Sequence, residues 1–321
     1  MQPRDPDDRA GPRALHGLTT RHSVDARVAA GRAARAAVAR SALATWDPPA
    51  TRRDPVDLVD AQNHHRLEWL VPVRHARMLQ SPFAFFRGAA AVMAADLGSS
   101  TSTGLHVQLA GDAHLANFGT YASPERQLVF DANDFDETLP GPFEWDVKRL
   151  AASVAVLGRD RGFPKREVVA MTTSCVAAYR KAIAEFARLP VLELWYRYLS
   201  YESLERQEYR RLDKQGRLAL DRAIASAHSH DHLQAVHKFS EEVDGALRIR
   251  HAPPLLLSMR DLATGMEHDR LRDGVVHAFE EYKATLRDDR RSVLERFRPL
   301  DLGIKVVGVG RVGTRCLNLL L

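Results

Sequence analysis

The sequence predicts an α+β fold in which helices predominate, and two observations lead to this prediction. Apolar residues recur at helical spacing through most of the chain, most clearly after residue 145. Two short segments differ, because Leu105–Ala110 alternates apolar and polar residues and Gln127–Phe130 is a short apolar run. We therefore expect a short β hairpin set in a helical body, with the two strands on either side of the loop 111–119.

Composition restricts the class of protein. Of the 321 residues, 45% are hydrophobic and 27% are charged, which is ordinary for globular proteins and excludes a fibrous or wholly disordered chain. The sequence has no apolar run of about 18 residues, and Met1–Arg13 lacks the apolar core of a secretion signal. We expect a cytoplasmic protein without membrane or nucleic-acid partners. Its net charge of +5 is typical of a solvated surface, and its oligomeric state is left open.

The helical part divides into three segments. Residues 1–50 are predicted to be a basic extension, partly disordered, with a helix from Ser23 to Trp46 that ends at Asp47-Pro48-Pro49. A transit peptide is the alternative for this arginine-rich helix. Residues 51–300 form the helical body. Its helices are predicted from Ser81 to about Gly98 as one buried helix, from Trp145 to about Arg159, at Lys165–Arg188, and through most of Val191–Arg298. Pro55–Arg77 is predicted to be a helix followed by an extended segment, with Pro72 as the break.

The last segment, 301–321, reads as the start of a glycine-rich β lobe. It contains Gly308-Val309-Gly310-Arg311-Val312-Gly313 and ends in an apolar run. A glycine pattern of this kind fits a tight hairpin turn, a loop that covers phosphates, or a dinucleotide fingerprint. The last of these needs a following helix and an acidic residue about 20 positions later, which this segment does not provide.

The chemistry is expected in the segment 111–146. Asp112, His114 and Asn117 share one loop, and a cluster of acidic and amide residues follows the second strand: Asp131, Asn133, Asp134, Asp136 and Glu137. Carboxylates this close repel one another unless a cation relieves them, and oxygen ligands of this kind suit Mg²⁺. The alternative is an acidic turn in solvent. An EF-hand loop is excluded, because Phe135 and Asp136 replace its third ligand and its glycine.

The order Asp112, Asn117, strand, Asp131 resembles the catalytic segment of the protein-kinase-like fold, especially its aminoglycoside and choline phosphotransferase branch. The resemblance implies that Asp112 is the catalytic base and that Asn117 and Asp131 hold Mg²⁺ on the phosphates of ATP. Asp134 is a rival for the last role. Asp146, which opens the next helix, would brace the loop.

Three sequence segments taken together give a more specific resemblance to a family. Ser81-Pro82-Phe83-Ala84-Phe85-Phe86-Arg87-Gly88, Gly111-Asp112-Ala113-His114 and Asn133-Asp134-Phe135-Asp136-Glu137-Thr138 together resemble the bacterial domain of unknown function 2252 family. This resemblance covers most of the chain and implies a C-terminal truncation, because members usually continue into a strand with a lysine and a glutamate. The glycine-rich loop also follows the catalytic loop, so a kinase-like fold would be circularly permuted with an incomplete glycine-rich lobe.

Several basic residues have two interpretations. Arg74, Arg77 and Arg87 could grip a phosphate or pair with the acidic turn. We assign Arg87, with Gly308, Gly310 and Gly313, to the nucleotide. His114 is either a phosphate or metal contact or a histidine hydrogen-bonded within its loop. Lys148 and Arg149 are expected to face solvent.

Three functions fit these residues. The first is Mg²⁺-dependent phosphoryl transfer from ATP to a small hydroxylated substrate, with Asp112 as base. The second is a metal-dependent phosphoesterase, since Gly-Asp-x-His also opens such sites. The third is a non-catalytic nucleotide-binding protein.

Overall fold

A computed structural model shows a mixed α/β protein with many helices and several small sheets. The structure describes residues 23–200, 203, 212–229, 232–262 and 266–321. Residues 1–22 of the predicted N-terminal extension lie outside this part. None of the helices in the described residues has both the length and the apolar character needed to cross a bilayer.

The helices of the described residues fall before, between and after the strands. They are α1 (Val24–Ala37), α2 (Pro55–Asn63), α3 (Val71–Met78), α4 (Pro82–Gly88), α5 (Ala90–Gly98), α6 (Glu144–Asp160), α7 (Lys165–Phe186), α8 (Val191–Trp195), α9 (Lys214–Ser229), α10 (His232–Phe239), α11 (Met259–Leu262), α12 (Met266–Thr285) and α13 (Asp288–Leu294). Ser23 and Ser81 begin α1 and α4 as N-caps, since each side chain accepts a backbone N–H from the first turn.

The strands form small sheets of two or three members. They are β1 (His106–Leu109), β2 (Phe118–Ala122), β3 (Leu128–Ala132), β4 (Leu139–Pro142), β5 (Ser240–Val243), β6 (Ala246–Ile249), β7 (Leu256–Ser258), β8 (Asp301–Lys305) and β9 (Leu317–Leu320). β1 pairs with β4, β2 with β3, and β5 with β6, while β7, β8 and β9 form an antiparallel sheet in that order. The mixed helix and sheet composition is as predicted.

The pairing of the first strands differs from the predicted hairpin. β1 and β3 do not pair, because β1 runs antiparallel to β4, with Val107 opposite Gly141. A side chain on Gly141 would lie only 2.6 Å from Leu109 Cδ1, so the missing side chain allows the close approach. The prolines that flank Gly141 lack an N–H and are tolerated at the edge of a sheet.

The predicted single helix after Ser81 is two helices, α4 and α5, which are separated at Ala89. The carbonyl of Gly88 accepts a hydrogen bond from Arg74 Nη2 at 2.9 Å, so it is already engaged by a group outside its own helix. A side chain on Gly88 would collide with Met78, which lies within 2.8 Å of that position. Gly88, the last residue of α4, is thus held closely against α3 at the point where the helix ends.

The chain forms two compact units. Of the described residues, the first unit comprises 23–54, 90–119 and 130–197, and the second unit comprises 55–89, 120–129 and those within 198–321. The second unit contains two buried apolar clusters among the described residues, one around Leu257, Met259, Leu302 and Ile304, and one around Leu70, Val306 and Val312. The first unit contains the predicted acidic site. The division into segments 1–50, 51–300 and 301–321 stays a prediction.

Candidate functional site

The loop between β1 and β2, residues 110–117, is held by the first turn of α6. Asp146 accepts hydrogen bonds from two consecutive backbone N–H groups, with Oδ2 2.7 Å from Ala110 N and Oδ1 3.1 Å from Gly111 N. Gly111 has a φ of +86°, which glycine adopts without strain. The chain therefore turns sharply at Gly111 and enters the loop with Asp146 bound at its start.

Asp112 and Arg149 form a buried ion pair at the centre of the loop. Arg149 Nε donates to Asp112 Oδ1 at 2.7 Å, and both residues are less than 10% exposed. Burial lowers the pKa of Arg149, and the charge of Asp112 partly opposes that shift. Arg149 was predicted to face solvent, and that expectation is wrong. Its neighbour Lys148 is half-buried, and burial lowers its pKa as well.

Side chains on one face of α6 bind the loop along its length. Asp146, Arg149 and Ser153 are three and then four positions apart, a spacing that places side chains on the same side of a helix. The first binds the backbone at residues 110 and 111, the second binds Asp112, and the Oγ of the third accepts from Leu115 N at 3.1 Å. Sequence reasoning missed Ser153, although its spacing from Asp146 was the available signal.

His114 is buried inside the loop, and its ring orientation follows from one hydrogen bond. Its Nδ1 accepts from Ala116 N at 3.1 Å, so in the neutral ring the hydrogen belongs on Nε2. Nε2 lies 3.6 Å from Asp112 Oδ2. His114 is only 3% exposed, so its ring is buried beside the carboxylate of Asp112.

Asn117 connects the loop to the acidic segment. Its Nδ2 donates to the carbonyl of Asp112 at 2.9 Å, and its own carbonyl accepts from Asn133 N at 3.0 Å. The structure therefore brings Asp112, Asn117 and the backbone of Asn133 together in the first unit. The side-chain carbonyl of Asn117 is the atom of this residue that could face a cation.

The two candidate carboxylates after β3 differ in exposure. Asp131 is exposed on β3, and its Oδ1 accepts from Ala132 N at 2.7 Å. Asp134 is half-buried, and its Oδ1 lies 3.4 Å from Asp136 N across a short turn. Across the described part of the chain, no three histidine, cysteine or acidic side chains are grouped as metal ligands. A cation here would therefore need Asn117 and one or two carboxylates, with water or phosphate completing its shell.

The glycine-rich loop lies in the second unit and is held by arginines. Arg77 Nη1 donates to the carbonyl of Gly308 and Arg66 Nη1 to that of Val312, each at 2.6 Å. A side chain on Gly310 would lie 3.2 Å from the backbone oxygen of Arg87. The loop is not a tight hairpin turn, because residues 306–316 separate the paired strands β8 and β9.

Two further arginines of the second unit, Arg74 and Arg87, lie on α3 and α4. Arg74 is completely buried, and burial together with the charge of Arg66 lowers its pKa to about 10. Its hydrogen-bond partners are neutral oxygens of Val59, Gln62, Asn63 and Gly88, so Arg74 neither pairs with the acidic turn nor presents a free fork. The Nε of Arg87 is buried and has no hydrogen-bond partner among the described residues.

A comparison with protein families identifies the chain. The family described as "Uncharacterized protein conserved in bacteria (DUF2252)" matches residues 66–321. The chain belongs to the DUF2252 family. The DUF2252 match includes both the α6-bound loop and the glycine-rich loop, and therefore every predicted site residue.

Two further comparisons gave no match for this DUF2252 protein. No curated protein and no solved structure is similar enough to be reported as a relative. Membership of DUF2252 thus agrees with the predicted family, while the kinase-like arrangement and its circular permutation stay predictions.

Proposed function

We propose that the chain is a Mg²⁺-dependent phosphotransferase that acts on a small hydroxylated substrate. The observation that carries this proposal is the fixed position of Asp112, whose Oδ1 is held by Arg149 while its loop is bound by Asp146. Phosphoryl transfer requires little covalent chemistry from a protein and depends on positioning and charge stabilisation. A carboxylate held in this way can orient an attacking hydroxyl group.

The residues of the first unit have distinct parts in this proposal. Asp112 Oδ2, the oxygen not bound by Arg149, accepts the hydrogen bond of the substrate hydroxyl and later its proton. Asn117 and either Asp131 or Asp134 supply the oxygen ligands for Mg²⁺, which would neutralise charge on the nucleotide phosphates when bound. His114 and Asp146 are positioning residues, since one packs against Asp112 and the other braces its loop.

We also propose that, within the second unit, the glycine-rich loop and Arg87 bind phosphate. Gly308 and Gly313 have φ values of +62° and +91°, which turn backbone groups in directions that other residues rarely adopt. Successive backbone N–H groups in such turns can form an anion-binding concavity. Arg66 and Arg77 would hold the loop in shape, because each already binds one of its carbonyls.

One observation favours a second candidate, a nucleotide-binding protein without catalysis. The Asp112 side chain is only 8% exposed, and its closest partner is a buried arginine. A buried ion pair of this kind can be purely structural. Nucleotide binding alone would then be the function of the glycine-rich loop.

Thermal denaturation with ATP and Mg²⁺ tests both nucleotide functions. A ligand that binds only the folded chain stabilises it by about 2.7 kcal/mol at a hundredfold excess over Kd, which raises Tm. We expect a rise with ATP and Mg²⁺ together and a smaller one with ATP and EDTA. An unchanged Tm with both would contradict the phosphotransferase and the binding protein alike.

Two substitutions test which acidic residue binds Mg²⁺. Asp131→Asn and Asp134→Asn are compared with Glu125→Gln, an exposed carboxylate in the connection between β2 and β3. We expect one of the first two to remove the Mg²⁺-dependent rise in Tm and the control to keep it. A rise retained in both asparagine variants would exclude these metal ligands.

Asp112→Asn separates catalysis from binding. ADP formation is measured with a panel of amino alcohols and polyols as acceptors. The rise in Tm on ligand binding is measured from the Tm of the same variant without ligand, because the unpaired Arg149 lowers the Tm of the unliganded variant. Loss of ADP formation with a retained Tm rise supports the phosphotransferase. Wild-type binding without turnover on any acceptor supports the binding protein. Cleavage of p-nitrophenyl phosphate with Mn²⁺ alone would support the phosphoesterase instead.

A further inference from the structure

The second unit contains a cavity that the proposed phosphotransferase does not use. Its volume is about 570 Å³, within the range of about 300–1,000 Å³ that buries most of a small organic ligand. Its floor is formed by Leu302 of β8 and Leu319 of β9, together with Met259, the first residue of α11. Two of these belong to a buried core cluster, so the floor exists before any ligand arrives.

One wall of the cavity is a face of α12. Leu271 and Val275 are four positions apart on that helix, and Val276 lies beside them. Val275 also packs against the core cluster that contains Met259 and Leu302. The cavity is thus enclosed by an apolar helix face on one side and an apolar sheet on another, both anchored in the core.

The polar groups around the cavity are mostly cationic. Three arginines line it, Arg248, Arg260 and Arg272, against the single carboxylate of Asp301. Both oxygens of that carboxylate accept backbone N–H groups, Oδ2 from Ile249 at 2.8 Å and Oδ1 from Leu302 at 3.0 Å. Asp301 is therefore already engaged and does not pair with the arginines.

Two of the arginines are available to a ligand. Arg260 makes no side-chain hydrogen bond or ion pair within the described part of the chain, and it is exposed. Among the described residues, the Arg272 side chain pairs with its neighbour Asp273 alone, at 3.2 Å and in solvent, and exposed pairs of this kind contribute little. An arginine fork matches a carboxylate in geometry as well as charge.

We propose that this cavity binds an amphipathic carboxylate, with its apolar body between α12 and the sheet and its charged end at Arg260 and Arg272. The apolar floor and wall exclude a strongly polar ligand such as a sugar, and the three guanidinium groups disfavour a cation. Neither the glycine-rich loop nor the α6-bound loop contributes a residue to it.

Isothermal titration of the full chain with dodecanoate, kept below its micellar concentration, tests the proposal. Dodecyltrimethylammonium, which has the same chain and the opposite charge, is the matched ligand control. We expect dodecanoate to bind at least about tenfold more tightly than the cation, because a charge-assisted hydrogen bond forms only with the acid. Absent binding, or equal affinity for both ligands, would overturn the proposal.

Two variants locate the binding site. Val276→Trp fills the cavity and should abolish dodecanoate binding, and Arg260→Gln should weaken it at least about fivefold by removing one charged partner. Arg290→Gln, an exposed arginine on α13 away from the lining residues, should leave the affinity within about twofold. Val276→Trp introduces a large side chain beside the core, so Arg260→Gln, at an exposed position, tests the site independently of folding: unchanged dodecanoate binding in Arg260→Gln contradicts the site.

Discussion

Arg149 and Asp112 form an ion pair that is almost completely buried, with 2.7 Å between Arg149 Nε and Asp112 Oδ1 and less than a tenth of either side chain exposed. Arg149 lies on the same face of α6 as Asp146 and Ser153, whose side chains bind the backbone of the same loop at residues 110, 111 and 115. A single helix therefore fixes both the backbone of the loop and the carboxylate at its centre.

Replacing Arg149 by methionine should destabilise the protein by about 3–5 kcal/mol, because Asp112 would remain buried without its partner. Arg159→Met is the matched control, since Arg159 is exposed on the same helix, and it should change the free energy of unfolding by less than about 0.5 kcal/mol. Urea denaturation measures both. Similar values for the two variants would show that the buried pair contributes little.

Glu144, in the first turn of α6, should make stability increase with pH. Burial favours its neutral form, but the hydrogen bonds to its carboxylate, from the N–H and hydroxyl of Thr103, from its own backbone and from Ser102, together outweigh burial and lower the pKa of Glu144. Its stabilising effect is then present above the unfolded pKa of about 4.3 and lost as pH falls through the folded value. Urea denaturation should show Glu144→Gln to be more destabilising at about pH 7 than at about pH 3.

Asp146, two residues later, should have the opposite dependence. Burial raises its pKa, the hydrogen bonds from Ala110 and Gly111 oppose this shift, and the charge of Asp112 adds to it. A raised pKa means that the contribution is complete below the unfolded value of about 3.9 and declines as pH rises through the folded value. The stability difference between wild type and Asp146→Asn should therefore decrease from about pH 4 to pH 7. An increase over that range would contradict the burial of this carboxylate.

The sequence placed the acidic loop, but not the helix residue that completes it. Asp112, His114 and Asn117 were proposed together because their residue types and spacing suggest chemistry, and they do share one hydrogen-bonded loop. Arg149 was missed because adjacent lysine and arginine on a helix are usually solvated. Its position relative to Asp146, three residues along one helix face, was the better guide.

The predicted helices around the site agree with the structure more closely than the strands. The ends of α6 and α7 lie within two residues of the predicted Trp145–Arg159 and Lys165–Arg188. The apolar residues of a long helix recur with helical spacing, so its own sequence is enough to predict it. The β5–β6 hairpin was predicted as helix, although Asp244-Gly245, both with positive φ, is a recognised signal for a two-residue turn. Strand β4 could not be predicted from its own residues, since Pro140 and Pro142 usually interrupt a sheet and only the pairing with β1 accommodates them.

Gly111→Ala should be far more costly than Gly104→Ala, although both glycines have positive φ, +86° and +71°. A side chain on Gly104 would meet nothing within 4 Å, so alanine there adds only backbone strain of about 1–2 kcal/mol. On Gly111 the new Cβ would lie 2.0 Å from the backbone oxygen of Glu137, so the loop or its neighbour must move. We expect Gly111→Ala to lose at least twice as much stability in urea and to expose the Ala110 amide to hydrogen exchange. Equal losses would mean that the turn at Gly111 is not packed against residue 137.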